Sequence, residues 1–211
     1  MTGRIGLVTL LAALVLPSAV AQADNPRLVA VVGTNDAFVI SLRDASGNLV
    51  AQLEPGTYDI AVSDRSEAHN FHLKGPGVDM STPIGDKQEA TWTVTIGEGR
   101  YAYICDAHAS TMRGYFLAGA IAPTAFTGSV GPGRKISLSP KSALPGPALF
   151  TVNDRSKTDN FHLSGPGVNK KTGVKTRGKV TWTVTLVPGF YTYRSDKTKK
   201  LRGALTVRFP G

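Results

Sequence analysis

Asp64-Arg-Ser-Glu-Ala-His-Asn-Phe-His-Leu-Lys-Gly-Pro-Gly-Val78 returns ninety positions later as Asp154-Arg-Ser-Lys-Thr-Asp-Asn-Phe-His-Leu-Ser-Gly-Pro-Gly-Val168. Thr91-Trp-Thr-Val-Thr95 recurs as Thr181-Trp-Thr-Val-Thr185 at the same offset, and Tyr101-Ala-Tyr103 as Tyr191-Thr-Tyr193. One offset shared by three separated segments marks an internal duplication. A period near ninety is too long for a solenoid repeat, so each copy is expected to be a whole domain with its own core. The length of 211 residues suits two domains of about 100 residues each.

Within each copy the pattern is strand-like. Tyr58-Asp-Ile-Ala-Val62, Thr91-Trp-Thr-Val-Thr-Ile96 and Leu149-Phe-Thr-Val152 are β-rich, and several such runs alternate apolar with polar. Glycine and proline mark turns at short intervals, among them Ser46-Gly-Asn48, Gly75-Pro-Gly77, Gly97-Glu-Gly99 and Gly165-Pro-Gly167. No helical period is sustained past the first residues. The expected fold is all-β, two tandem Greek-key β-sandwich domains over residues 24–122 and 123–211. Ile136-Ser-Leu138 reaches Pro145-Gly146 sooner than Ile40-Ser-Leu42 reaches Pro55-Gly56, which predicts one hairpin about six residues shorter in the second copy.

Residues 1–23 hold a basic start at Arg4, an apolar run over 5–16 and Ala21-Gln22-Ala23, the pattern of a signal peptide with its cleavage site. The apolar run is too short to span a bilayer. The mature chain is expected to begin near Asp24 as a soluble protein exported to the periplasm or the exterior, with no transmembrane anchor after cleavage; an uncleaved anchor is the competing reading. One cysteine excludes an internal disulfide, and a lone thiol in an oxidising compartment calls for an occupant.

That cysteine, Cys105, lies with His108 and Met112 just after Tyr101-Ala-Tyr-Ile104, close enough to share one loop, whereas His69 lies 36 residues upstream and must be delivered by the fold. A thiolate, two imidazoles and a thioether suit copper cycling between two oxidation states, since sulfur favours the reduced ion and imidazole serves both. Zinc competes, but its structural sites use several cysteines or clustered histidines and rarely methionine. A site assembled by the fold is expected to be largely preformed, as electron transfer requires.

These residues resemble the cupredoxins, small blue-copper proteins of the plastocyanin and amicyanin type, and most closely exported bacterial cupredoxin-like domains. The resemblance covers about residues 28–117 for a complete site and 136–209 for a degenerate copy. It implies one type 1 copper ion held by His69 of the His-Asn pair, by the Cys105 thiolate, by His108, and weakly by Met112 as axial ligand. The strand, Cys-x-x-His, then Met followed by Arg113-Gly114 carries the likeness. Two features depart from the family: the His108-to-Met112 spacing lies between the plastocyanin and amicyanin loops, and Ala107 stands where many relatives have proline. Both bear on loop rigidity and potential rather than on the ligands.

The second copy acts as an internal control. Asp159 replaces His69, Ser195 replaces Cys105, Thr198 replaces His108, and Leu201 stands in for Met112 after a one-residue deletion. His72 is kept as His162 in a domain with no copper ligands, so His72 is expected to be structural. Trp92 and Trp182 read as core residues rather than electron way-stations, and Asn70, kept as Asn160, as a backbone tether beside the site.

Charge divides between the halves. Residues 24–122 hold 7 Lys or Arg against 12 Asp or Glu, and residues 123–211 hold 16 against 3. The excess concentrates in 170–179 and in 194–202, the second cluster falling on the loop that corresponds to the copper loop. One reading is solubility; the other is docking of domain two on an anionic surface, such as an acidic redox partner protein, an acidic envelope polymer or lipid headgroups. Nucleic acid is not expected for an exported chain without an aromatic-interleaved basic motif.

Multicopper oxidases and two-domain nitrite reductases also repeat the cupredoxin domain, but they need further histidines, and this chain has only His69, His72, His108 and His162. Nucleophilic catalysis by Cys105 with His108 would leave His69 and Met112 unexplained. The expected function is therefore a non-enzymatic one-electron carrier with one copper in domain one and a metal-free domain two. The alternatives are a copper carrier or scavenger without a dedicated electron-transfer role, and a structural envelope protein with a vestigial site.

Overall fold

A computed structural model describes residues 24–210, so the signal-peptide reading of residues 1–23 lies outside the described residues. The first half forms nine strands: β1 (Arg27–Val32), β2 (Ile40–Asp44), β3 (Gln52–Leu53), β4 (Gly56–Asp64), β5 (His72–Gly75), β6 (Val78–Ser81), β7 (Gln88–Ile96), β8 (Gly99–Ile104) and β9 (Arg113–Ala118). One sheet has the order β2-β1-β4-β7 and the facing sheet the order β3-β9-β8-β5-β6. The chain changes sheet after β2, β3, β4, β6 and β7, the crossed path of a Greek key. β1 runs parallel to β4, with Val29 beside Ala61, and β4 pairs antiparallel with β7 from Gly56–Ile96 to Asp64–Gln88.

The second half repeats this strand for strand: β10 (Thr124–Val130), β11 (Ile136–Ser139), β12 (Ser142–Ala143), β13 (Gly146–Asp154), β14 (His162–Gly165), β15 (Val168–Lys171), β16 (Gly178–Leu186), β17 (Gly189–Arg194) and β18 (Arg202–Val207). The orders β11-β10-β13-β16 and β12-β18-β17-β14-β15 match the first sandwich position by position. The shortened hairpin lies where the sequence puts it. After β2 the first domain makes a turn in which Ser46 N and Asn48 N donate to Asp44 Oδ1, while β11 passes almost directly into β12.

Period-two alternation makes each core. Tyr58, Ile60 and Val62 of β4 point inward into one core with Leu73, Tyr101 and Phe116 of the facing sheet and with Phe71 just before β5. Burying one such side chain stabilises the fold by about 1.5–3 kcal/mol. One core pair is exchanged between the domains: the Leu28–Ile60 pair of the first becomes a stacked Phe126–Phe150 pair in the second, with centroids 4.3 Å apart. Trp92 and Trp182 are half-buried against these cores, 6.1 Å from Phe71 and 6.3 Å from Phe161.

The Gly75-Pro-Gly77 segment divides its labour. Gly77 takes the left-handed turn conformation at φ +71, but Gly75 ends β5 and is needed for packing, since a Cβ there would lie 2.1 Å from the Tyr101 ring. Gly114 is held by the same logic, since a Cβ there would lie 2.1 Å from the Tyr103 ring, and Gly165 and Gly203 stand in the same relation to Tyr191 and Tyr193.

The two sandwiches touch where β8 and β9 of the first meet the β12–β13 connection and the C-terminal tail of the second. Arg100 Nε donates to the Pro145 carbonyl at 2.6 Å, and Tyr115 meets Phe209 edge-on at 5.7 Å.

Candidate metal centre

The site is built where three loops converge at one end of the first sandwich. Cys105 follows β8 directly and is fully buried. Its amide donates to the Met112 carbonyl at 3.0 Å, which closes the loop 105–112 back on itself. Inside that loop Asp106–His108 form a 3-10 turn: His108 N donates to Cys105 O, and Thr111 N and Met112 N both donate to His108 O. Such a short turn satisfies its own backbone groups and fixes where His108 points. Met112 is 1% exposed at the end of this loop.

His69 reaches the site from the β4–β5 connection, which is pinned by Ser66 N on Asp64 Oδ1 and Ala68 N on Ser66 Oγ. Asp64 also accepts the Thr82 hydroxyl. Burial of Asp64 outweighs that bond and raises its carboxyl above the ordinary value.

These elements bring three side chains together. Cys105 Sγ lies 3.8 Å from His69 Nδ1 and 3.6 Å from His108 Nδ1, and the two Nδ1 atoms are 3.0 Å apart. His69 Nε2 faces the Asp36 carbonyl at 3.4 Å. A proton on Nε2 donates there and leaves the Nδ1 lone pair aimed at Cys105 and His108. Among the described residues these three form the one group of His, Cys, Asp or Glu able to hold a metal ion.

The donor set fits copper. Metal bonds of about 2.0–2.3 Å set ligand atoms roughly 3–4 Å apart, which matches the separations found. Two imidazoles, one thiolate and a buried methionine on the same loop are the blue-copper combination, whereas a zinc site would use more sulfur or nitrogen and no thioether.

The residues expected to be structural act on the site through neighbours. Asn70 Oδ1 accepts from Asp106 N at 2.8 Å, while its Nδ2 donates to Asp106 Oδ2 at 2.7 Å and to the Thr82 carbonyl at 3.3 Å. It thereby straps the His69 loop to the Cys105 loop. His72 turns away from the site, with Nδ1 on Asp106 at 2.8 Å and Nε2 on Asp79 at 2.5 Å. Burial works to raise Asp106, but hydrogen bonds from Asn70 and His72 outweigh it and hold the carboxyl below its ordinary value.

Two residues of the site carry no sequence motif. Phe38, 62% exposed, sits edge-on to His69 at 5.1 Å and to His108 at 4.7 Å, forming an apolar lid over both rings. Gly33, at φ +66, leaves room for His69, since a Cβ would lie 2.4 Å from Ser66 Cβ and 3.1 Å from His69 Cδ2. The duplication held the signal for Phe38: the β1–β2 connection is longer than the β10–β11 connection, which contains no aromatic residue.

The second domain keeps the scaffold and fills the centre. Ser195 N donates to Leu201 O, Asp196 N to Asn160 Oδ1 and Asn160 Nδ2 to the Thr172 carbonyl, each as in the first domain. Where the ion would sit, Ser195 Oγ donates to Asp159 Oδ1 at 2.7 Å and accepts from Lys197 N and Thr198 N. Burial works to raise Asp159, but bonds from Thr198, Ser195 and Thr158 and the charge of Arg134 outweigh it and hold the carboxyl below its ordinary value.

No family model and no curated protein matches the chain. Solved structures similar to parts of it include rusticyanin from Thiobacillus ferrooxidans, at 20% identity over 44% of this chain and 76% of that one, with a TM-score of 0.32. A multicopper oxidase is similar at 12% identity over 87% of this chain and 88% of that one, TM-score 0.30. A copper-containing nitrite reductase from Thermus scotoductus is similar at 12% identity over 87% and 61%, TM-score 0.28. Likeness at this level carries no weight of its own. What the chain itself shows is a pair of Greek-key sandwiches and, in the first of them, the cluster of His69, Cys105 and His108.

Proposed function

We propose that the protein is an exported blue-copper carrier that binds one ion in its first domain and moves one electron at a time. The observation that supports this most is the burial of His69 and Cys105 at 3.8 Å from each other with His108 completing the set. When bound, copper supplies a one-electron couple. Met112, buried at the end of the same loop, would add its thioether as a fourth and weaker donor to the ion.

The chain's own residues hold the site in one geometry. Asn70 ties the two ligand loops, the loop bonds orient His108, and Phe38 keeps water from the rings. His108 is half-buried whereas His69 and Cys105 are buried, so the His108 edge is the shortest route between the site and solvent.

A carrier is favoured over an enzyme because the remaining imidazoles are engaged elsewhere. His72 is held by Asp106 and Asp79, and His162 by Asp196 and Asn169, which leaves none of the chain's four histidines for a second copper centre. Domain two is proposed as a metal-free module that docks an anionic surface and orients domain one; an acidic redox partner is one such surface. A copper carrier without a dedicated electron-transfer role is the second reading.

The test is a copper titration followed by optical spectroscopy on the chain from Asp24 onward and on Cys105→Ser. One equivalent with intense blue thiolate-to-copper absorption, lost in the variant, is expected. Fast electron self-exchange then selects the shuttle, and transfer of the ion to an acceptor protein with sluggish exchange selects the copper carrier.

A further inference from the structure

The end of the second sandwich that bears the filled site is ringed by exposed cations. A cleft of about 680 Å³ is lined by Arg134, Lys135, Arg155, Lys200 and Arg202. A cleft of about 260 Å³ shares Arg202 and adds Arg194 and Lys199. A third, of about 380 Å³, shares Arg134 and Arg155 and adds Lys157 and Arg177. The shared residues make the three clefts one continuous run.

Carboxylates do not neutralise this run. Residues 123–211 contain three, Asp154, Asp159 and Asp196. Asp154 and Asp159 are buried and accept hydroxyl hydrogens from Thr172 and Ser195. Asp196 holds His162 and lies 3.7 Å from Arg194. Among the described residues no other cation of the run has a carboxylate within ion-pair distance. Crowding like charges around concave walls raises a positive potential and disfavours the isolated fold, and solubility alone does not require it.

The lining also says what kind of anion fits. None of the three clefts contains an aromatic side chain, so neither bases nor sugar rings have a surface to stack on. The only large apolar lining residues are Ile136 and Leu201, too few for the apolar centre of a protein interface. What remains to be recognised is charge itself, repeated along a length greater than a single oxyanion spans.

We propose that these clefts form one groove for a linear polyanion, a chain bearing phosphate, sulfate or carboxylate groups at short intervals. This rests on reading domain two as a metal-free docking module, and it is independent of copper in domain one. The polymer lies across the loop that corresponds to the copper loop, so binding fixes the second domain and leaves the first free to exchange electrons.

The test is binding of fluorescently labelled long-chain inorganic polyphosphate and of polyglutamate to the whole chain across a salt series, with orthophosphate and anionic phospholipid vesicles as competitors. Affinity should fall steeply with salt, and the Arg134→Ala, Arg155→Ala, Lys200→Ala, Arg202→Ala variant should lose at least about tenfold in affinity and about four units of salt slope. Replacing Arg27, Arg43, Lys74 and Lys87 of domain one should change neither. Equal loss from that control set, competition by orthophosphate at the same charge concentration, or binding to vesicles but not to soluble polymer would overturn the proposal. Blue absorption of domain one is read in the same samples: its loss with polymer binding intact sinks the electron-carrier function, and the reverse sinks only the groove.

Discussion

The guanidinium of Arg113 lies 4.7 Å over the ring of Phe209, joining the residue that follows Met112 to the C-terminal tail of the other domain. Tyr115 closes on the same ring from the side. Phe209→Ala should weaken the association of the domains by about 1 kcal/mol, the scale of an exposed cation–π contact. Denaturant unfolding followed separately for each domain should show the two transitions moving apart, and Phe209→Trp should restore them.

Asn70 and Asn160 make the same three bonds, but only Asn70 has ligands beside it. Each Asn→Ala change leaves buried groups unpaired and should cost about 1–3 kcal/mol in stability. Copper affinity and the blue absorption should shift in Asn70→Ala and stay unchanged in Asn160→Ala. Equal shifts in both would show that Asn70 acts on the fold alone.

Phe38 covers both imidazoles while itself remaining largely exposed. Phe38→Ala should therefore change unfolding free energy by less than about 1 kcal/mol, in the range of surface substitutions. Alkylation of Cys105 in the metal-free protein should become faster, because the lid is gone. An unchanged alkylation rate would remove Phe38 from the site.

Gly33→Ala should be far more damaging. The backbone at φ +66 and the Cβ contact with Ser66 both oppose it, at a cost of about 1–3 kcal/mol. Metal affinity should drop with stability, since the displaced contact includes His69.

Asp159 and Asp196 have folded-state carboxyls below their ordinary value. A depressed carboxylate contributes stability above its unfolded pKa, about 3.9, and that contribution fades as pH falls through the folded value. Acid should therefore destabilise the second domain below about pH 4. Asp159→Asn should lower stability at neutral pH and flatten this acid limb in a urea-denaturation series across pH.

Much of this was legible in the sequence. Period-two alternation and turn residues mark the strands, and the duplication separates His69, Cys105, His108 and Met112 from residues such as His72 that serve the scaffold in both copies. Sequence could not say how Gly75 and Gly114 are used, because their constraint is a tyrosine ring on another strand. Nor could it give the Phe38–His69 contact, which joins an irregular loop to a residue across the fold without any shared periodicity. The pairing of His72 with both Asp106 and Asp79 was hidden for the same reason, since cross-strand register sets it.

The bond between Ser195 and Asp159 makes half of this molecule indifferent to copper supply. An emptied first domain would lose a ligand that helps hold its loops together, while the second keeps its own clasp and its cationic rim intact. On the function proposed above, a cell short of the metal would keep the second domain docked while the first waits to be refilled, instead of losing both roles together.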